Sequence, residues 1–504
     1  MNAPELELKF EVPDKALPGL EEYLAFAQPE ETRRLRSTYF DTPSRDLRNA
    51  SLGLRIRRGD GETLQTLKYE KHAGPLIRHE WETTVGSDRP DPTALADTPA
   101  SDILDKSADA LEPVFTTNVE RTSRIWTRAD DMVEVSLDRG EITSGSDRES
   151  IQELELELKS GEPQALFELA TMLVERLKLP LMFQSKAERG YRLADDPDWR
   201  PERARSITIA PDMPAAEAFR ELAHISVAQI ANNARTVSCY RANEALHQLR
   251  VGLRRFRAAL STFRPFIEDS DYALIREETK WLASEMDAAR DVDVFIEESF
   301  RTVTAEPTDR PAFAQFGKQL LRAQSKAYDR ALAALASPRF ATLLLSTIRW
   351  VETGPWTASD EPVIRSLREC STHKFAANQL DRMRRKLRRR GRLLAHLDDQ
   401  QRHRLRIKAK KLRYSAEFFS ETFGHAKRQR RFLNALAEFQ DSLGQLHDTS
   451  VASQLALKIV QGRPIEAAYA AGVTIEHKRN SARKIERKAL VDFDAFKNAR
   501  RFWT

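Results

Sequence analysis

The sequence predicts a multidomain α+β protein, with a β-rich N-terminal part followed by an all-α C-terminal part. Three observations carry this. Along residues 1–200, polar and apolar residues alternate in short runs broken by turn residues, which is the period of strands. Beyond residue 214 the period becomes helical almost to the end. The charge also changes sign between the parts: residues 1–200 hold 27 Lys+Arg against 40 Asp+Glu, net −13, and residues 201–504 hold 54 against 36, net +18. Such asymmetry suggests two parts with different tasks, the second suited to a polyanion or an anionic surface.

A chain of 504 residues is too long for one ordinary domain. With 41% hydrophobic and 31% charged residues it reads as globular and charge-rich. Cys239 and Cys370 lie too far apart to form a disulfide framework, which fits a reducing compartment. The N-terminus carries carboxylates where a leader would be basic and then apolar. The longest apolar runs, such as "ATLLLSTI", are far short of a span, so a cytoplasmic protein with no membrane partner is expected.

Taking the elements in order, "LGLRIRR", "TLQTLKYE", "IRHEWETTV", "MVEVSLDRGEI" and "IQELELELK" read as strands, with a helix at "EPQALFELATMLVERL". Residues 1–197 form the expected first domain. The Pro- and charge-rich stretch at 198–214 is a linker, and residues 215–504 form the helical domain. A break near "ETGPWTASDEP" divides the helical part into repeats of about 215–355 and 361–500. "LHQLRVGLRRFRAAL" (246–260) aligns with "RHRLRIKAKKLRYSA" (402–416) at an offset of 156, and "ARDVDVF" (289–295) with "LHDTSVA" (446–452) at 157. Two related helical bundles follow from this duplication.

The strands place their charges on one face. "ELELKF" sets Glu5, Glu7 and Lys9 on one side and Leu6, Leu8 and Phe10 on the other. "ELELELK" repeats this at Glu153, Glu155, Glu157 and Lys159, while Arg55 with Arg57, and Arg78 with Glu80 and Glu82, form further rows. A solvated face over a dry core accounts for any one strand. Recurrence in nearly every strand, with some rows almost purely acidic and others basic, points instead to a closed barrel with a charged lumen. Divalent cations would offset the repulsion among carboxylates, and the basic rows would hold an anion with several phosphates. On this reading the N-terminal acidic row and the row at 153–157 lie on opposite walls with a cation between them.

"ELELKF" resembles the ExExK signature of the CYTH, or triphosphate tunnel metalloenzyme, superfamily. "STYFDTP" (37–43), "LRIR" (54–57), "TLK" (66–68), "RHEWE" (78–82), "EVSLDRGEI" (134–142), "ELELELK" and "SKAERGY" (185–191) follow in the family's order. The resemblance covers about residues 1–195. It implies an eight-stranded antiparallel barrel forming a tunnel with flanking helices, and metal-dependent hydrolysis of a phosphoanhydride. It also implies Mg²⁺ or Mn²⁺ held by Glu5, Glu7, Asp138, Glu155 and Glu157. Lys9, Arg55, Arg57, Lys68, Arg78, Arg121, Lys186 and Arg189 would bind the substrate, with Glu5, Glu7 and Lys9 as the catalytic row. Two alternatives stay open: Arg124 could point inward in place of Arg121, and Glu153 shares the face of Glu155 and Glu157.

In the helical part, His247, Arg250, Arg254 and Arg257 share one helix face, and His403, Arg406, Lys410 and Arg413 repeat the spacing; Arg255 and Lys411 also correspond. Between 382 and 413 there are 15 Lys+Arg against two acidic residues. A cation run alone is usually a solvated face or a nucleic-acid arm. The duplicated His in fixed phase with the cations favours a specific phosphate site, and few aromatics interleave for base stacking, so nucleic acid is disfavoured. "LHQLRVGLRRFR", "ARDVDVF", "HRLRIKAKKLRY" and "FQDSLGQLHD" (439–448) look like the CHAD domain, spanning about 215–500. That resemblance implies long-chain polyphosphate binding by these residues and His447, whose counterpart in the first repeat is Arg290, and a location at polyphosphate granules. The combined expectation is hydrolysis of inorganic triphosphate to pyrophosphate and phosphate. The competing readings are a non-catalytic polyphosphate-binding protein and an enzyme acting on thiamine triphosphate or, as an adenylate cyclase, on ATP.

Overall fold

The computed structural model describes residues 5–25, 27, 30–59, 61–69, 77–195, 200–204, 208–304, 310–479 and 482–504. They fall into two compact units. The first is Met1–Glu202 with Val227–Thr236 and Ser337–Thr353; the second is Arg203–Ser226, Val237–Ala336 and Gly354–Thr504. Part of the predicted linker lies outside the described residues.

The first unit is built on one antiparallel sheet: β1 (Glu5–Glu11), β2 (Glu30–Asp41), β3 (Leu52–Gly59), β4 (Glu62–Tyr69), β5 (Ile77–Thr84), β6 (Glu112–Arg128), β7 (Asp131–Ser144), β8 (Asp147–Ser160) and β9 (Leu181–Met182). Their order is β5-β4-β3-β2-β6-β7-β8-β1-β9. The expected count of eight becomes nine because a two-residue strand, too short to show a period, pairs with Lys9 and Phe10. β5 also pairs with β1, through Glu5↔Arg78 and Leu6↔Ile77 alone, so the sheet meets itself along a short edge.

Helices α1 (Leu17–Leu24), α2 (Asp46–Asn49), α3 (Ser101–Ser107), α4 (Pro163–Leu177) and α5 (Lys186–Asp195) accompany the sheet. The apolar sides of the strands are dry. Leu47, Leu52, Leu54, Ile56 and Leu67 pack with Leu95 and Leu104. The other face is partly apolar too: Tyr39, Phe115, Ile142 and Ile151, which by register share the face of Arg55, Arg121, Asp138 and Glu153, pack with Tyr191 and Leu193 of α5. The charged sides are also withdrawn from water. Asp138 and Glu153 are 0% exposed, and Glu7, Lys9 and Glu155 no more than 9%. Burial separates the two readings of the sequence: these rows are not a solvated face.

Two contacts fix α5 on the sheet. Buried Asp41, from "STYFDTP", accepts hydrogen bonds from the backbone N–H groups of Thr42 (2.8 Å), Leu47 (2.9 Å) and Arg48 (3.0 Å), which caps α2. It also accepts one from Tyr191 Oη of α5 at 2.9 Å. Gly190 lies so close to the Phe115 ring that a Cβ there would meet it at 2.1 Å.

The remaining helices are α6 (Ala215–Tyr240), α7 (Asn243–Ile267), α8 (Tyr272–Phe295), α9 (Arg301–Thr304), α10 (Arg310–Leu335), α11 (Pro338–Thr353), α12 (Pro362–Glu369), α13 (Thr372–Gly391), α14 (Asp399–Phe418), α15 (Ala426–Val460), α16 (Ile465–Arg479) and α17 (Ala482–Asn498). α11 packs on α4 within the first unit. Shifted by the 156-residue offset, α6 falls on α13, α7 on α14 and α8 on α15. One core draws on both repeats: Phe295, Phe313 and Phe316 pack with Ala452, Ala456, Ala467 and Ala470. Among the described residues no single helix is long and apolar enough to cross a membrane.

Because Phe115 blocks any side chain at position 190, Gly190→Ala must push α5 off the sheet. The expected cost is about 1–3 kcal/mol in denaturant unfolding; unchanged stability would show that α5 is not held by this contact.

Candidate functional site

Strand pairing brings the charged rows together. Across β1 and β8, Glu7 stands opposite Glu157, Lys9 opposite Glu155 and Glu11 opposite Glu153. Across β7 and β8, Glu134, Ser136 and Asp138 stand opposite Glu157, Glu155 and Glu153, and Arg121 of β6 stands opposite Asp138. Paired residues share a face. The two acidic rows expected on opposite walls are therefore adjacent; a period of two assigns a face but not a neighbour.

Asp138, Glu153 and Glu155 are all buried, with carboxylate oxygens within 4.8 Å of one another. Three hard oxygen donors suit a divalent cation such as Mg²⁺ or Mn²⁺. The chain's own cations also converge on them. Lys186 Nζ lies 2.7 Å from Asp138 and 2.9 Å from Glu155, and pairs with Glu153. Arg121 grips Asp138 with two bonds of 2.7 Å and reaches Glu155. Lys9 Nζ lies 2.7 Å from Glu155 and 3.0 Å from Glu7, and Arg189 joins Glu153 (3.0 Å) to Glu149 (2.8 Å). Burial pushes the Glu155 carboxyl up, but Lys186, Lys9 and Arg121 hold it well below the usual carboxylate range. Asp138 is lowered too: burial opposes this, and Lys186 and Arg121 outweigh it. Burial alone would lower Lys186, yet Asp138, Glu153 and Glu155 raise it.

Glu157 stands apart, paired with Lys159 at 2.6 Å, which also reaches Glu134 at 3.1 Å. Its pKa is raised by burial, with Glu134 and Glu7 adding and Lys159 opposing. Arg124 turns away, its Nε donating to Glu30 at 3.1 Å, so Arg121 is the inward residue of β6. A basic group lies on β3 and β4: Lys68 meets Glu80 at 2.8 Å, Arg55 meets Glu80 at 3.5 Å, and Arg57 meets Glu82 at 2.9 Å. Burial raises Glu80, but Lys68, Arg55 and Arg57 together hold it down to about 2. Burial and the neighbouring Arg55 lower Arg57, against Glu82 and Glu80. The side chains of Glu5 and Arg78, both expected here, lie outside the described residues.

Sequence reasoning did not assign Glu80, Glu82, Glu134, Glu149 or a firm role for Glu153. The alternation in "RHEWE" and "ELELELK" carries Glu80, Glu82 and Glu153, which lie an even number of residues from the assigned Arg78 and Glu155.

In the second unit the predicted phosphate-binding residues divide. Arg250 pairs with Asp287, Arg406 with Asp448 at 3.4 Å, and Arg254 Nε donates to Tyr414 Oη at 3.1 Å. The His403 and His447 rings lie 4.3 Å apart. His247, lowered by burial and by Arg290 and Arg254, belongs to this cluster, and so does Lys410. Arg255 instead lies over the Phe418 ring at 5.6 Å, and Arg413 meets Glu417 at 3.5 Å. Lys411 Nζ donates to Ser261 at 3.1 Å, with Arg257 near enough to lower its pKa alongside burial. The spacing placed Arg257 on one face with Arg250 and Arg254, and Arg413 with Arg406 and Lys410, but the structure gives Arg257 and Arg413 other surroundings.

The chain matches the CYTH domain family model over residues 3–191 and the CHAD domain model over residues 221–457. It is 32% identical over 194 residues to an inorganic triphosphatase of Haemophilus influenzae, a match covering 38% of this chain and only 54% of that protein. An uncharacterised protein of Mycobacterium tuberculosis is 26% identical over 442 residues, 82% of each chain. The crystal structure of the CHAD domain from the plant Ricinus communis superposes with a TM-score of 0.51 at 27% identity, covering 60% of this chain and 98% of that one. Ordered motifs, an acidic and basic sheet interior, and a basic helical cluster thus agree with both family models: the chain is a CYTH domain fused to a CHAD domain.

Proposed function

We propose that the sheet unit hydrolyses inorganic triphosphate to pyrophosphate and phosphate with Mg²⁺ or Mn²⁺, and that the helical unit binds polyphosphate. One observation carries the first part. Buried carboxylates at Asp138, Glu153 and Glu155 share a sheet face with Lys9 and Arg121 and with a basic group at Arg55, Arg57 and Lys68, and Lys186 of α5 reaches them. The likeness to the Haemophilus triphosphatase supports the same reading.

A bound metal would supply charge neutralisation at the phosphoryl oxygens, with Asp138, Glu153 and Glu155 as its holders and Glu7 beyond Lys9. Arg55, Arg57 and Lys68 would exchange Glu80 and Glu82 for phosphate oxygens, fixing the chain of phosphates in line. Lys9, between Glu7 and Glu155, would carry phosphate next to the carboxylates. Glu7 and Glu157 stand together across β1 and β8. The raised pKa of Glu157 suits it to receive a proton that Glu7 draws from the attacking water. Residues of the helical cluster would bind phosphate oxygens of a longer chain through Arg250, Arg254, Arg406 and Lys410.

Assays with triphosphate, ATP and thiamine triphosphate, each with Mg²⁺ and with Mn²⁺, are expected to give phosphate release fastest from triphosphate. Glu7→Gln should slow it by about 10²–10⁴-fold. Equal rates on all three substrates, or full activity in Glu7→Gln, would refute the assignment. Lys186→Met leaves three buried carboxylates short of a cation, and metal-free protein should lose about 3–5 kcal/mol in urea unfolding. A loss under about 1 kcal/mol would mean that Lys186 is not their counter-ion.

A further inference from the structure

The helical cluster holds more titratable groups than a fixed cationic site needs. His247, Arg250 and Arg254 on α7 meet Asp287, Arg290 and Asp291 on α8, His403, Arg406, Lys410 and Tyr414 on α14, and His447 and Asp448 on α15, all within electrostatic reach of one another. The arginines are engaged: Arg250 with Asp287, Arg406 with Asp448, Arg254 with Tyr414. Lys410 is not; among the described residues it has no hydrogen bond or ion pair, although it is partly buried between Arg406 and Arg254. His403 Nδ1, Arg250 Nε and Arg406 Nε are buried polar atoms with no hydrogen-bond partner among the described residues. Two imidazoles 4.3 Å apart, beside Arg406 and Lys410, cannot both be charged cheaply without an anion between them.

We propose that polyphosphate binding here is coupled to proton uptake, with Lys410, His403 and His447 becoming protonated as the anion arrives, so that affinity falls as pH rises. This rests on the reading of the helical unit as a polyphosphate binder. The directions agree. Burial, Arg406 and Arg254 hold Lys410 down to about 7, and burial, Arg406 and His403 hold His447 down to about 4. Burial and Arg406 lower His403 as well. An anion raises each value. A group whose pKa rises on binding leaves affinity unchanged below its free value and weakens it between the free and bound values. Lys410 therefore acts above about pH 7, and His447 from about pH 4 upward. Asp291, raised by burial and by Asp287 and Asp448 against the pull of Arg250 and Arg406, changes uptake in the same sense at the acid end.

The test is calorimetric titration of the full chain with long-chain polyphosphate, in chelator to prevent hydrolysis, in two buffers of different ionisation enthalpy. Above about pH 7 we expect affinity to fall by up to tenfold per pH unit, with buffer-dependent heat reporting a proton taken up. Lys410→Arg, which stays charged, should bind with that alkaline dependence removed, and Lys410→Met should bind more weakly without it. The two variants cancel any polyphosphate heat arising elsewhere in the chain. Binding by the unaltered chain with constant affinity and no buffer-dependent heat would overturn the coupling and leave the polyphosphate reading standing. No binding at any pH would sink that reading, and the coupling with it.

Discussion

The sheet unit depends on one constraint: carboxylates that face inward, away from water, must each find a cation. Lys186 Nζ meets this for Asp138, Glu153 and Glu155 at once, and Arg121, Lys9 and Arg189 close the remaining gaps. Burying charge is costly, and a pair is tolerable only when its partners are placed well. That requirement reaches far from the site. The register of β1 on β8 must put Lys9 beside Glu155, and slipping it by one residue would turn Lys9 outward. α5 must lie where Lys186 and Arg189 reach inward, which is what Gly190 against Phe115 and Tyr191 on Asp41 ensure.

The faces were legible in the sequence because side chains in a strand alternate with a fixed period. Glu7, Lys9, Arg121, Asp138 and Glu155 do come together, and the sign of each row could be read from single strands; Lys186 and Arg189, which join them from α5, were expected only from the family resemblance. What the period cannot carry is adjacency. It left the row at 153–157 on the wrong side of the lumen and did not separate Glu153 from Glu157, because both point inward and only the neighbouring strand and α5 distinguish them. β9 was missed for a simpler reason, since two residues show no alternation.

The helical unit teaches a related lesson. The 156-residue repeat tracks real helices, from α6 onto α13 through α8 onto α15. Yet cations on one helix do not share one environment. Arg255 and Arg413 serve Phe418 and Glu417, while Arg250, Arg254, Arg406 and Lys410 share the cluster with the histidines. Helical spacing defines a stripe about one face, and where two helices pack across that stripe its residues are divided between separate surroundings.

The two charged regions differ in what they ask of a ligand. In the sheet unit nearly every inward carboxylate already has a cation, so a free phosphate chain would have to take Lys68 and Arg55 from Glu80 and leave that carboxylate uncompensated. A free metal ion would likewise have to take carboxylates from Lys186. On the proposed reading both exchanges become balanced only when they happen together, with carboxylates passing to the metal and cations to the phosphates. The ligand best matched to that interior is a metal–triphosphate complex rather than either ion alone. The helical cluster sets no such condition: Lys410 and His403 have donors to spare, and an anion alone relieves the repulsion among them.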